Sequence, residues 1–139
     1  MATFTASAAQ STQPAVYAIN QTISRTVRYS KSASDSAGDV IQMVRVPIGA
    51  IVNHVAIAVS FSAGVSTVNV GDGNDVSAYA ASVVLSGSVI SAVMPMRALG
   101  RSYSAEDTID IQIAAISTPP ANALYVLTVN YTCTDHGGT

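Results

Sequence analysis

The feature that most constrains this chain is an alternation of apolar and polar residues with a period of two. Between Tyr125 and Cys133, the residues Tyr125, Leu127, Val129, Tyr131 and Cys133 interleave with Val126, Thr128, Asn130 and Thr132. Successive side chains of an extended backbone point to opposite faces, so this pattern predicts a strand with one face in a core and the other half exposed. The same period runs from Tyr17 to Tyr29, where Tyr17, Ile19, Ile23, Val27 and Tyr29 share one face. Arg25 is the exception on that face, and it calls for snorkelling or a buried partner. Ile109, Ile111 and Ile113 alternate with Asp110, Gln112 and Ala114 in a third strand, and from Ile51 to Phe61 the odd positions form the apolar set. In that last strand the odd face is the expected core face.

Turn residues divide the chain at short intervals. Pro47 and Gly49 end a strand over Val40 to Val46, and the run Gly71-Asp72-Gly73-Asn74-Asp75 closes one over Ser66 to Val70. These are residues that tolerate positive φ or supply side-chain hydrogen bonds to turns. Residues 77–82, rich in Ala and Ser, fit a helical turn or a loop. Shorter strands are expected over Val83 to Leu85, Val89 to Val93 and Met96 to Arg101, punctuated by Gly87, Pro95 and Gly100. About eight strands joined by short turns, with no amphipathic helical pattern, predict an all-β single domain, a β-sandwich or jelly roll. The expected organisation is an extended N-terminal arm over residues 1–15, a sandwich over 16–134 and a flexible tail over 135–139. The arm is small and polar, with Gln13-Pro14 near its end, and is either disordered or ordered by a neighbouring subunit.

Charge narrows the function classes. Only 10% of the 139 residues are charged, and no formal charge falls between Arg45 and Asp72, from Val76 to Met96 or from Ile111 to Thr134. Ser, Thr, Asn, Gly or Pro interrupts each stretch, so none suits a spanning helix, and a membrane barrel would want aromatic girdles that two Phe, six Tyr and no Trp do not supply. The net charge is −2 and the six basic residues are scattered, which disfavours nucleic-acid binding. Cys133 is the sole cysteine and is expected to be a buried thiol in a protein made in a reducing cytoplasm without a cleaved signal. A surface this poor in charge calls for cover by partners, and permanent oligomer interfaces are depleted in charge at their centres.

Catalytic candidates are sparse. His54 sits on the small-residue face of its strand, where a structural or interface role is expected, and neither a nucleophile turn nor a Cys-His pair accompanies it. Asp72, Asn74 and Asp75 share a glycine-rich turn that reads as a hairpin turn with solvated carboxylates, or as an incomplete calcium loop. Glu106, Asp107 and Asp110 read as a solvated turn at the entrance to a strand. No enzyme, cofactor or metal is expected.

The segments Val44-Arg45-Val46-Pro47-Ile48-Gly49-Ala50-Ile51-Val52 and Thr67-Val68-Asn69-Val70-Gly71-Asp72-Gly73-Asn74-Asp75 carry a resemblance. They pair a Pro-x-Gly-Ala strand connection with a Val-Gly-Asp turn, and in this the chain resembles the head decoration, or cement, proteins of tailed bacteriophages. The resemblance covers residues 40–80 in motif and the remainder in composition and strand spacing. It implies a homo-oligomer, a trimer, seated on the capsid exterior against the major capsid protein and reinforcing the shell. It further implies that the arm is the tether, with Thr3, Phe4, Thr5, Gln10, Gln13 and Pro14 as capsid contacts. Two other readings stand beside it: a head-fibre or tail subunit, and a carbohydrate-binding sandwich that would use Tyr79 and Tyr103 as platforms.

Overall fold

The computed structural model describes residues 3–6, 21–30, 36–60, 65–86, 89–93, 100–116 and 124–133. They form ten strands: β1 (Thr3–Thr5), β2 (Thr22–Ser30), β3 (Val40–Val46), β4 (Ala50–Ser60), β5 (Val65–Asp72), β6 (Ala80–Ser86), β7 (Val89–Val93), β8 (Arg101–Ser102), β9 (Asp107–Ile116) and β10 (Leu124–Cys133). One sheet has the order β1-β3-β9-β5-β6 and the other β2-β10-β4-β7, with β8 also pairing β4. Setting β1 and β8 aside and numbering the other eight along the chain, the orders become 2-7-4-5 and 1-8-3-6. This interleaving of early and late strands in two facing sheets is the double Greek key of a jelly roll, the expected class. All pairings are antiparallel except that of β1 with β3.

The two sheets exclude water from their facing sides. In β10 every odd residue from Tyr125 to Cys133 is buried, as the alternation requires. Ile109, Ile111 and Ile113 do the same in β9, and Val55, Ile57 and Val59 in β4. Full burial of such side chains stabilises by roughly 1.5–3 kcal/mol each, so the inner faces of these central strands supply the bulk of the driving force. In β2 only Val27 of the odd residues is fully buried, in keeping with an edge position, and Arg25 hydrogen-bonds the Tyr131 side chain. The expected strand from Tyr17 starts outside the described residues.

One sequence expectation is overturned in β4. Ala50 and Val52 face the core, Asn53 is exposed, and only from Val55 do odd positions turn inward. The cause is a bulge: Asn130 of β10 opposes His54 while Tyr131 opposes Val52, leaving Asn53 as an extra residue. One extra residue in a period-two structure exchanges the two faces. A second bulge lies in β3, where Met43 is unpaired against β9 and both Met43 and Val44 are buried.

The turns also differ from expectation in detail. Pro47–Ala50 closes with the Ala50 N–H donating to the Pro47 carbonyl at 3.2 Å, and Gly49 takes φ +85°, a backbone region that favours glycine. This turn carries the chain from one sheet to the other. Residues 77–82 are neither a helical turn nor wholly a loop, because β6 begins at Ala80. Ser82 sits at φ +56° in a bulge opposite Asn69, whose Oδ1 accepts the Ser82 N–H at 2.8 Å. The expected strand over Met96 to Arg101 lies largely outside the described residues, and Arg101–Ser102 forms β8.

Candidate functional site

At one end of the sandwich the Gly71–Asp75 turn folds back on its own sheet. A Cβ on Gly71 would lie 2.0 Å from the Asp75 carbonyl oxygen and 2.3 Å from the Val76 carbonyl carbon, so only glycine admits this close approach. The turn is fixed by the side chain of Asp72, whose Oδ1 accepts the N–H groups of Asn74 at 3.0 Å and Asp75 at 2.9 Å. Asp72 is fully buried, which overturns its reading as a solvated turn carboxylate.

Burial of that charge is made tolerable by partners from the other sheet. Asp72 Oδ2 accepts from Arg101 Nε at 2.7 Å and from Tyr103 Oη at 2.9 Å. The Tyr79 and Tyr103 hydroxyls lie 2.5 Å apart. Since the Tyr103 proton is directed at the carboxylate, Tyr79 is the donor to Tyr103. Asp72 therefore accepts four hydrogen bonds, the full complement of a carboxylate. Desolvation pushes the Tyr79 hydroxyl up to about 12, against a lowering by its Tyr103 bond and with a further rise from Asp72. Tyr103 is raised further, by desolvation and then by its Tyr79 and Asp72 contacts, so both phenols stay protonated. Arg101 is held above its ordinary value: partial desolvation is the largest single influence and opposes its charge, but the Asp72 carboxylate, the Tyr103 and Tyr79 phenols and the Asp72 hydrogen bond together outweigh it. The cluster is thus a fixed ionic clamp between β5 of one sheet and β8 of the other.

Backbone bonds seat the β8 side of the clamp. Gly100 N–H donates to Val52, Tyr103 N–H to Ala50 and Gly49 N–H to Tyr103, at 2.8, 3.0 and 2.8 Å. Beside it lies a cleft of about 640 Å³ bordered by Gly73, Asn74, Arg101, Ser104, Glu106 and Asp107, among others. Tyr79 and Tyr103 are 0% and 6% exposed, so the two phenols that the alternative carbohydrate-binding reading would use as platforms are clamp members without an open ring face.

The second acidic group separates into three environments. Glu106 is exposed and ion-paired with Arg45, Asp107 is half-buried beside Gly73, and Asp110 is 3% exposed. Asp110 alternates onto the outer side of β9, opposite Gln42 on one neighbouring strand and Gly71 on the other. The expected solvated carboxylate is therefore buried, and its Oδ1 has no hydrogen-bond partner. Desolvation pushes its pKa up to about 7; the Thr108 hydrogen bond works against this, and Asp107 and Asp72 add to it. Among the described residues, no group of three or more His, Cys, Asp or Glu could hold a metal ion.

The other sequence candidates are dispersed. His54 is half-buried beside the β4 bulge and faces Asn130 across the pair. Cys133 is a buried free thiol, as expected. Of the arm residues, Thr3, Phe4 and Thr5 form β1, with Thr3 and Thr5 exposed. Gln10, Gln13 and Pro14 lie outside the described residues. The clamp itself escapes sequence reasoning because Asp72 and Arg101 are far apart in the chain. The available signal was two tyrosines near polar turns in a chain with almost no charge to spare.

With this geometry in hand, comparison with known proteins gives a consistent fold. No family model matches the chain, and no curated protein does. Solved structures do. A chain in the structure of the capsid of Ralstonia phage GP4 superposes with a TM-score of 0.76 at 16% identity, covering 94% of this chain and 97% of that one. A chain of the cyanophage Pam1 capsid asymmetric unit gives 0.59 at 17% identity, with 90% and 97% covered. A chain of the acidic stable capsid structure of Helicobacter pylori bacteriophage KHP30 gives 0.51 at 13% identity, with 84% and 89% covered. This chain shares its fold with subunits found in phage capsids.

The clamp and the buried Asp110 carboxylate are each open to test by substitution. Replacing Arg101 by Met leaves Asp72 buried without its counter-charge, and unfolding free energy measured in denaturant should fall toward the lower end of about 3–5 kcal/mol, because Arg101 keeps 33% of its side chain in water. A change within experimental error would show that the pair does not hold the two sheets together. For Asp110 the folded-state pKa lies above the ordinary carboxylate value, so the folded chain binds the proton more tightly and burial is tolerated best at low pH. The penalty appears as pH rises from about 4 through about 7 and is constant above that, on the order of 4 kcal/mol in full. The stability gained by Asp110→Asn over the wild type should grow across that window and then level off. A gain of the same size at pH 4 and pH 8 would contradict the assignment.

Proposed function

We propose that this chain is a structural virion protein that binds the outside of a phage capsid as a homo-oligomer, a trimer, and stabilises the shell. The observation that carries the reading is the near end-to-end match to a chain of the Ralstonia phage GP4 capsid, with 94% of one and 97% of the other superposed. The matched subunit is about the length of this one, so the shared jelly roll is essentially the whole of both. A structural role without catalysis is in keeping with that economy of parts. The fold likeness supports a capsid setting, and the sequence resemblance to cement proteins supplies the decoration role, the trimer and the exterior position.

The distribution of charge supports self-association. Three of the eight acidic residues, Asp39, Asp72 and Asp110, are buried, and Glu106 is paired with Arg45. Those groups belong to the β1-β3-β9-β5-β6 side, and the outward face of the β2-β10-β4 sheet is nearly neutral in its own sequence. Thr26 and Thr128 bond hydroxyl to hydroxyl at 3.0 Å, Thr22 and Thr132 do so at 3.4 Å, and Ala56 and Ala58 lie beside them. Arg28 is the charged residue on that face among the described residues. A flat face of small, uncharged side chains suits the centre of a permanent interface better than open water.

The first test is the mass in solution by light scattering, alone and after mixing with capsid shells. A stable trimer that co-sediments with shells is expected; a monomer that ignores shells would remove the proposal. The arm, with Thr3, Phe4, Thr5, Gln10, Gln13 and Pro14, is the proposed capsid contact. Deleting residues 2–14 should lower shell occupancy, and unchanged occupancy would take the contact away from the arm.

A further inference from the structure

The strand β1 is joined to the rest of the molecule in an unusual way. It is the one parallel strand among the described residues, it pairs with only Val40, Ile41 and Gln42 of the seven-residue β3, and it is three residues long. So short a strand cannot hold its place through its ladder alone, and two anchors fix it. Phe4 packs against Tyr29 of β2, with ring centroids 6.4 Å apart and planes inclined at 43°. Ala6 is 2% exposed and donates its N–H to the Gln42 carbonyl at 2.8 Å, while Thr5 Oγ1 bonds Gln42 Oε1 at 3.2 Å. Together β3 and Tyr29 form a seat with a defined register and a defined aromatic contact.

The connection to that seat is long. Sixteen residues separate Thr5 of β1 from Thr22 of β2. Extended, they span roughly 50 Å, against a radius of gyration of roughly 14 Å expected for a 139-residue domain. The same contacts can therefore be made on the seat of an adjacent copy. Exchange of an identical element costs little in contact energy, because what is lost within one copy is regained on the next. Once copies are held side by side, the second engagement is effectively intramolecular.

We propose that β1 is an exchanged strand: in the homo-oligomer, residues Thr3–Ala6 of one copy occupy the β3 edge and Tyr29 contact of a neighbouring copy. The partner is a second copy of this chain, recognised by strand addition at a sheet edge with Phe4 as the specificity residue. The inference rests on the homo-oligomeric reading above. The side chains of Thr3 and Thr5 stay exposed in either arrangement and can still meet a shell, although the Thr5 hydroxyl is engaged by Gln42 and Phe4 is taken up by the Tyr29 contact.

Mixed cross-linking tests it. Two chains carrying different affinity tags, one Thr5→Cys and the other Gln42→Cys, each with Cys133→Ser, are co-expressed and oxidised, and denaturing gels report covalent species. Exchange predicts a disulfide-linked dimer containing both tags, reduced at least several-fold when Phe4→Ala is added to the Thr5→Cys chain. Light scattering on the same samples separates the two readings. An oligomer that yields no mixed dimer, while the Thr5→Cys/Gln42→Cys double variant closes an intrachain disulfide, overturns exchange and leaves the capsid reading standing. A monomer overturns both.

Discussion

Two apolar faces that must exclude water from one another set the terms for the rest of the molecule. The central strands β9 and β10 each present an unbroken row of buried side chains, from Ile109 to Ile113 in one and from Tyr125 to Cys133 in the other. Each is flanked on both sides by strands that must then keep register with it, since a slip of one residue would turn an apolar row into water. The bulges in β3 and β4 are the adjustments this demands. They insert Met43 and Asn53, so that strands whose sequence phase changes midway still keep their apolar residues inside.

A sandwich fixed in this way remains open at its ends, where two sheets about 10 Å apart can no longer cover one another with alternating side chains. The Asp72 clamp answers that problem at the end formed by the β5-β6 turn. Asp72 belongs to one sheet, Arg101 to a strand added to the other, and the two phenols fill the space between. An ion pair is a costly way to close a gap, because both charges must be desolvated. It confers direction in return: the four bonds to Asp72 are satisfied by one arrangement of the turn and one placement of β8. Asp110, paired with Gly71 at the start of that turn, is itself buried, and its raised pKa follows from the desolvation.

Legibility in the sequence followed the strength of the local signal. The period-two rows of β9 and β10 were readable because each runs without interruption, and the turn residues Pro47, Gly49 and Gly71-Asp72-Gly73 marked strand ends because each has a local conformational reason to be there. The inversion within β4 was not readable. A bulge is decided by the partner strand, and nothing in the residues Ile51 to His54 announces it. Asp72 and Asp110 were misread for a related reason. A carboxylate next to glycines or beside other acids is normally solvated, and its burial depends on Arg101, Tyr103 and a folded-back turn that adjacency in sequence cannot reveal. Arg25 was readable as an anomaly, and Tyr131 is the partner that resolves it.

These internal arrangements bear on the proposed self-association. Of the fourteen charged residues, three carboxylates lie inside and Glu106 and Asp72 are paired with Arg45 and Arg101, which leaves eight for the whole of the remaining molecule. What remains outside on the β2-β10-β4 face is a row of threonine hydroxyls that bond to each other across strands. Hydroxyls paired in this way are already partly satisfied, so covering the face costs less desolvation than covering free hydroxyls would. Neutral sheets carry a hazard of their own, because exposed strand edges invite indiscriminate pairing. The parallel strand β1 occupies one such edge with a specific aromatic anchor. In the proposed homo-oligomer, a face that is inexpensive to bury and an edge closed by a specific strand would favour one closed assembly over open-ended aggregation.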